Sequence, residues 1–301
     1  MRHAALVGTT ASGKSQVALE LARRNPDWEL VSVDSMQVYR GMDIGTAKPT
    51  TAEQAEVRHH LIDLVDPDED FTVVEFRAAY DEVVADIEAR GNRALLVGGT
   101  GLYLRAVVDR LEFPGTFPAV RSAIESEPHD VEVLHRRLAE LDPVAASRME
   151  PTNERRVLRA LEVTVGSGRP FSSFGPGLRD YRPTDVVLLG IRLPPDTVRR
   201  RIESRYNAQM DAGFLEEVRA LAARPDGLSR SAAQALGYRE LLAHLRGEAP
   251  LGESLDLAVR RTKRFARRQR AWFHRDPRIA WIDVDDPVKS VAPLCERLED
   301  S

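Results

Sequence analysis

Gly8-Thr9-Thr10-Ala11-Ser12-Gly13-Lys14-Ser15 matches G-x-x-x-x-G-K-[ST], and an apolar strand precedes it while a helical segment follows. Backbone N–H groups of such a loop point inward as an anion nest, and the helix N-terminus adds positive dipole. Gly8, Thr10, Ala11, Ser12, Gly13, Lys14 and Ser15 are therefore the candidate contacts to a polyphosphate, with Ser15 on Mg²⁺. The motif specifies neither which polyphosphate nor that phosphoryl transfer follows. A second candidate, Asp34, ends the strand Glu29–Val33. Strand C-termini of an open parallel sheet line the ligand crevice, so Asp34 belongs beside the loop as metal ligand, general base or plain helix cap. The strand Arg93–Val97, where a P-loop NTPase would carry its Mg²⁺-binding Asp, runs instead into Gly98-Gly99-Thr100-Gly101. That loop could hold a second anion or be a structural turn. Arg201 and Arg205, one turn apart, could clamp phosphate or form a solvated face.

Apolar runs alternating with amphipathic helices position these residues. Ala4–Val7, Glu29–Val33 and Arg93–Val97 read as strands, and Ser15–Arg24 and Val73–Arg90 as helices. The alternation predicts an α/β fold: a P-loop NTPase-like parallel sheet flanked by helices. From Phe113 to Arg182 only helical signals remain, at Val120–Glu127, Val131–Glu140, Pro143–Met149 and Asn153–Val165, before a loop Gly166–Tyr181. This predicts a helical insertion, and Val186–Leu193 returns the chain to the sheet. The expected boundaries are 1–114 for the first part of the core, 115–184 for the insertion and 185–301 for the second part. The remainder reads as helical: Asp196–Ala212, Leu215–Ala223, Ser231–Arg246 and Ser254–Arg275.

The chain has 301 residues, 43% hydrophobic and 30% charged, enough to bury a core without staples. Its single cysteine, Cys295, excludes an internal disulfide and a multi-thiolate zinc site. No apolar run is long enough to span a membrane, and the motif begins at Gly8, leaving no room for a signal peptide. The expectation is a soluble cytoplasmic protein, with nothing demanding more than a monomer. Net charge is −4, which at face value argues against a nucleic-acid partner. The charge is segregated, however. The 43 basic residues comprise 39 Arg and 4 Lys, and Arg260–Arg275 carries eight cations and no acid, leaving −12 elsewhere. Ala258, Thr262, Phe265, Gln269 and Trp272 form one stripe that can pack on the core, and the remaining circumference is basic. Such a helix would repel itself as a solvated face, so a nucleic acid is the favoured partner. Arg155, Arg156 and Arg159 form a second basic cluster.

Taken in chain order, GTTASGKS (Gly8–Ser15), SVDSMQVYRGMDIGTAKP (Ser32–Pro49), HLID (His60–Asp63), LVGGTGLYL (Leu96–Leu104), NERRVLRALEV (Asn153–Val163), RIESRY (Arg201–Tyr206), QALGYRE (Gln234–Glu240) and RFARRQRAWF (Arg264–Phe273) resemble the bacterial tRNA dimethylallyltransferase (tRNA isopentenyltransferase) family. The resemblance implies transfer of a dimethylallyl group from its diphosphate to N6 of adenosine 37 in the tRNA anticodon loop, with Mg²⁺. On that reading the phosphate loop holds a leaving group, and a small-molecule or nucleotide kinase is the alternative. The resemblance makes Asp34 the general base, puts Thr100 and Arg205 near the reacting groups, and lets Asp34, Ser35, Met36 and Gln37 meet the target nucleotide. It assigns tRNA contacts to Thr100, to Arg155, Arg156 and Arg159, to Gln234, Gly237, Tyr238 and Arg239, and to Arg267, Arg268, Gln269, Arg270 and Trp272. Thr9 stands where the family commonly has Pro, and His274 where Arg is usual.

Overall fold

A computed structural model describes residues 2–127, 130–175, 177–178 and 180–299; Met1 and parts of the 166–181 loop read above lie outside the described residues. The chain divides into two compact units, Met1–Asp109 with Pro183–Ser301, and Arg110–Arg182. The first boundary falls five residues before the expected position. Asp109 is bound by Arg105 and Arg278 of the first unit. The carbonyls of Pro114 and Gly115 accept instead from Arg159 of the second, at 2.9 and 3.1 Å.

The first unit runs β1 (Ala4–Val7), α1 (Lys14–Arg24), β2 (Trp28–Val33), α2 (Thr51–Glu56), β3 (His59–His60), α3 (Val73–Ala89), β4 (Arg93–Gly98) and α4 (Gly101–Val108). The second unit contains α5 (Pro118–Ser126), α6 (Val131–Leu141), α7 (Pro143–Ser147) and α8 (Glu154–Ser167). The first then resumes with β5 (Val187–Arg192), α9 (Pro195–Asp211), α10 (Phe214–Ala222), α11 (Arg230–Ala233), α12 (Tyr238–Leu245), α13 (Leu251–Phe273), β6 (Ala280–Asp283) and α14 (Val291–Glu299).

Among the described residues one parallel sheet forms, in the order β3-β2-β4-β1-β5-β6. Side chains alternate between its faces. Ala5, Val7, Val31, Val33 and Leu96 face a core built with α3, α4, α9, α10, α12 and α13, through residues such as Phe76, Tyr103, Ile202 and Phe214. Ala4, Leu6, Leu30, Leu95, Leu189 and Ile191 face the other, covered by α1 and α14. Both faces are buried, which is why the central strands read as unbroken apolar runs. In register, Val33 and Val7 both pair with Gly98. Gly8, Asp34 and Gly99 therefore leave the sheet side by side.

The second unit closes over its own core of Ile124, Leu134, Leu138, Val157, Leu158 and Leu161. Buried Asp142 caps α7 through Ala145 N at 2.9 Å and accepts from Ser172 N at 2.7 Å.

Three expectations need correction. The chain after Leu193 is not wholly helical, because Ala280–Asp283 pairs with β5 as an edge strand. The helix expected over Ser231–Arg246 is two, parted where Gly237 takes φ +87°. The buried line of α13 is Ser254, Ala258, Thr262, Ala266, Gln269 and Phe273. Ala266 and Phe273 thus replace Phe265 and Trp272, which flank the line half-buried.

Candidate active site

The loop after β1 turns through Ala11 at φ +60° and Gly13 at φ +82°, conformations that cost a glycine least. Ser12 N donates to Thr9 O at 3.2 Å. Helix α1 then starts at Lys14 with no side chain capping it, so its first N–H groups face outward for an anion. Lys14 Nζ donates to Thr9 O at 3.4 Å. Desolvation pulls its ammonium down to about 8, against the attraction of Asp34 and with the repulsion of Arg205.

Helix α9 lays two arginines over this loop. Arg201 Nε donates to Ala11 O at 2.9 Å, and Arg205 Nη1 to Thr10 Oγ1 at 3.0 Å. Arg205 is half-buried, its buried Nε has no partner, and desolvation lowers its pKa despite Tyr206 and Asp34 nearby. A buried cationic donor left unpaired is costly unless an anion joins it.

Asp34 follows β2, and its Oδ1 accepts from Met36 N at 2.9 Å. The carboxylate thus closes a local turn while lining the same cavity as Lys14 and Arg205. Ser35 N donates to Thr100 Oγ1 at 3.2 Å. Gln37 also lines the cavity, and its amide is held by its own loop. Its Oε1 accepts from Ser32 Oγ at 2.7 Å and its Nε2 donates to the carbonyls of Thr46 and Ala47 at 3.3 and 3.2 Å. Its amide organises the cavity wall. Glu217 braces that wall by accepting from Asp43, Ile44 and Gly45 N at 3.0, 2.7 and 3.2 Å, and from Tyr238 OH at 2.6 Å.

Gly98-Gly99-Thr100-Gly101 is a turn on which a helix packs closely. A Cβ on Gly99 would lie 2.3 Å from Gln269 Nε2, and one on Gly101 would lie 2.1 Å from Trp272 Nε1. Helix α13 approaches the turn through these two side chains, and Thr100 lines the cavity. Gln269 and Trp272, expected as RNA contacts, are thus turned towards protein. Gln269 Oε1 accepts from Thr10 N at 2.8 Å and its Nε2 donates to Gly99 O at 2.9 Å.

The cavity measures about 660 Å³. Of the expected residues, Thr10, Ala11, Gly13, Lys14, Ser15, Asp34, Ser35, Met36, Gln37, Thr100, Arg205, Gln234, Tyr238, Arg239, Arg268 and Gln269 line it. Gly8 and Ser12 are buried within the loop and, like Gly237, Arg267, Arg270 and Trp272, are not in the lining. Tyr238 is fully buried, its hydroxyl spent on Glu217. Sequence reasoning missed Thr46, Ala47, Ala235, Leu236, Arg261, Arg264 and Phe265 as lining residues, although most fall within the motifs quoted above. Arg261 pairs with Glu240, and Lys263 with Glu203 at 2.5 Å, so two of the eight cations are already neutralised. In the second unit, Arg155 and Arg156 are exposed at the start of α8. Arg159 is committed to buried Glu162 at 2.6 Å and to the Pro114 and Gly115 carbonyls.

A parallel sheet with a glycine-lysine loop after its first strand and a basic cavity at its strand ends is a P-loop-like fold. A sequence model of the family described as "IPP transferase" matches residues 37–276. The tRNA dimethylallyltransferase of Pseudarthrobacter chlorophenolicus is 44% identical over 301 residues, covering 97% of this chain and 98% of the relative. That of Acidothermus cellulolyticus is 48% identical over 292 residues, with 95% and 90% covered. Among solved structures, the tRNA isopentenylpyrophosphate transferase of Bacillus halodurans is 35% identical with a TM-score of 0.72, covering 99% of this chain and 96% of that one. A eukaryotic dimethylallyltransferase acting on tRNA is 25% identical with a TM-score of 0.80, covering 98% and 77%. The chain belongs to the IPP transferase family.

Proposed function

We propose that this chain transfers the dimethylallyl group of dimethylallyl diphosphate to N6 of adenosine 37 in the tRNA anticodon loop, releasing diphosphate. The carrying observation is that Asp34, Lys14, Arg205 and Thr100 line one cavity, while β4 ends in glycine where a kinase would hold its Mg²⁺-binding carboxylate.

In this reaction the N6 lone pair attacks the terminal methylene of the donor, the C–O bond to diphosphate breaks, and the N6 proton passes to Asp34. An exocyclic amine whose lone pair is delocalised into the ring is a weak nucleophile, so positioning and a base both count. Lys14, the spare Nε of Arg205 and the N-terminus of α1 stabilise the charge growing on diphosphate. Thr100, held by Ser35 N, stands on the acceptor side with Asp34. Adenosine 37 must leave its stack to enter.

Mg²⁺ fits this donor set. No cluster of three or more His, Cys, Asp or Glu able to hold a metal exists among the described residues. Mg²⁺ characteristically uses one or two protein oxygens and completes its shell with phosphate and water, so Ser15 Oγ beside a diphosphate suffices. Its contribution when bound is to neutralise diphosphate charge.

Arg264 and Arg268 at the cavity, with exposed Arg267 beyond it, meet RNA phosphates. Arg155 and Arg156 on the second unit do the same along the anticodon arm. The protein acts in the cytoplasm as a monomer; no described helix is long and apolar enough to cross a membrane. Incubation with unmodified tRNA, Mg²⁺ and labelled dimethylallyl diphosphate tests the reading. Label in tRNA supports it, and ATP turnover without labelled RNA refutes it.

A further inference from the structure

We infer that Gln269 is a positioning residue through which α13 fixes the geometry of both glycine loops at the reaction site. The inference rests on the reading above that residues 8–15 hold the diphosphate. Gln269 is the buried member of a run whose neighbours Arg267 and Arg268 are exposed. Its single amide ties two backbone segments far from it in sequence, accepting from Thr10 N at 2.8 Å and donating to Gly99 O at 2.9 Å. Nothing fits between it and Gly99, since a Cβ there would fall 2.3 Å from Nε2. Thr10 is thus gripped from two helices, its N–H by α13 and its hydroxyl by Arg205 of α9. Gly99 immediately precedes Thr100, so the same amide sets where the Thr100 hydroxyl stands.

The chemistry demands glutamine. Leucine fills the space but leaves the half-buried Thr10 N–H and the buried Gly99 carbonyl without this partner, which is costly. Glutamate can still accept from Thr10 but places a carboxylate against Gly99 O. Asparagine is one methylene too short to span both. The helix that carries Arg264 and Arg268 to the cavity therefore also sets the shape of the donor loop.

The test uses the full chain as wild type, Gln269→Leu and Gln269→Glu. Calorimetry measures binding of inorganic diphosphate with Mg²⁺ and, separately, of an unmodified anticodon stem-loop; steady-state kinetics supply KM for dimethylallyl diphosphate. For Gln269→Leu we expect diphosphate affinity to fall and donor KM to rise ~10-fold or more. Stem-loop affinity should stay within ~2-fold, and Gln269→Glu should fall between wild type and leucine, because it keeps the Thr10 bond. A weakened stem-loop with unchanged diphosphate binding would make Gln269 an RNA contact and overturn the inference. So would unchanged binding of both, or equal loss of both with a lowered thermal midpoint. Failure of the wild-type protein to bind diphosphate is a separate result, which removes the underlying functional reading.

Discussion

Ser35 N donates to Thr100 Oγ1 at 3.2 Å, joining the loop after β2 to the loop after β4 in the lining of the cavity. Because β2 and β4 are neighbours in register at Val33 and Gly98, this bond holds the residue next to Asp34 against the turn that α13 braces. The carboxylate and the hydroxyl are thereby placed together by the sheet itself.

Asp34 is predicted to act in the chemical step. Asp34→Asn keeps an oxygen to accept from Met36 N and so preserves the turn, but it removes the base. Single-turnover rates should fall ~10²–10⁴-fold while tRNA affinity changes by less than ~3-fold. An unchanged single-turnover rate would assign Asp34 to the turn alone.

Lys14 predicts a pH dependence. Its ammonium is held at about 8, so the cation is present below that value and is lost as pH rises through it. The kcat/KM for dimethylallyl diphosphate should therefore decline on the alkaline side with a midpoint near 8. Lys14→Arg, which stays charged, should abolish that decline whatever it does to the absolute rate. A decline that persists unaltered in the arginine variant would belong to another group.

Arg264 and Arg268 are predicted to contact RNA phosphate. Replacing either by Ala should weaken tRNA binding and flatten the plot of log affinity against log salt by ~0.7–0.9. Arg267→Ala should behave likewise, being exposed on the same helix. An unaltered slope in all three would move the RNA off this surface.

Glu29 anchors the opposite end of β2, where it accepts from Arg90 at 2.8 Å, Asn92 at 2.7 Å and His60 at 2.6 Å. Burial would raise its pKa, but these donors prevail and hold it at about 2. A depressed carboxylate contributes stability above its unfolded value near 4.3, and that contribution fades as pH falls towards 2. Glu29→Gln should cost ~2–3 kcal/mol at pH 7 in urea unfolding, with the difference from wild type shrinking by pH 3. A constant difference across that range would contradict the ion-pair account.

Local patterns carried much of this architecture in the sequence. β1, β2, β4 and β5 are largely apolar on both faces and end in, or run directly into, glycine, aspartate or arginine, so strands and crevice residues were legible together. Short elements were not: β3 is two half-buried histidines, and β6 is half-buried at the sheet edge with no full apolar run. Gln37, Glu217 and Gln269 illustrate a different gap. Each is a polar residue bonded largely to backbone groups, within its own loop for Gln37 and on distant segments for Glu217 and Gln269, and no spacing announces which helix will land on which turn. Gly99 and Gly101 were visible, but their reason was not until Gln269 and Trp272 were seen filling the space a side chain would take.

The most direct measurement is nucleoside mass spectrometry of unmodified tRNA after incubation with this protein, Mg²⁺ and dimethylallyl diphosphate. The account predicts that adenosine 37 alone gains one dimethylallyl unit, with one diphosphate released per unit transferred and none formed by Asp34→Asn on the same timescale. Diphosphate release without an altered adenosine, or modification that survives loss of the Asp34 carboxylate, would contradict it.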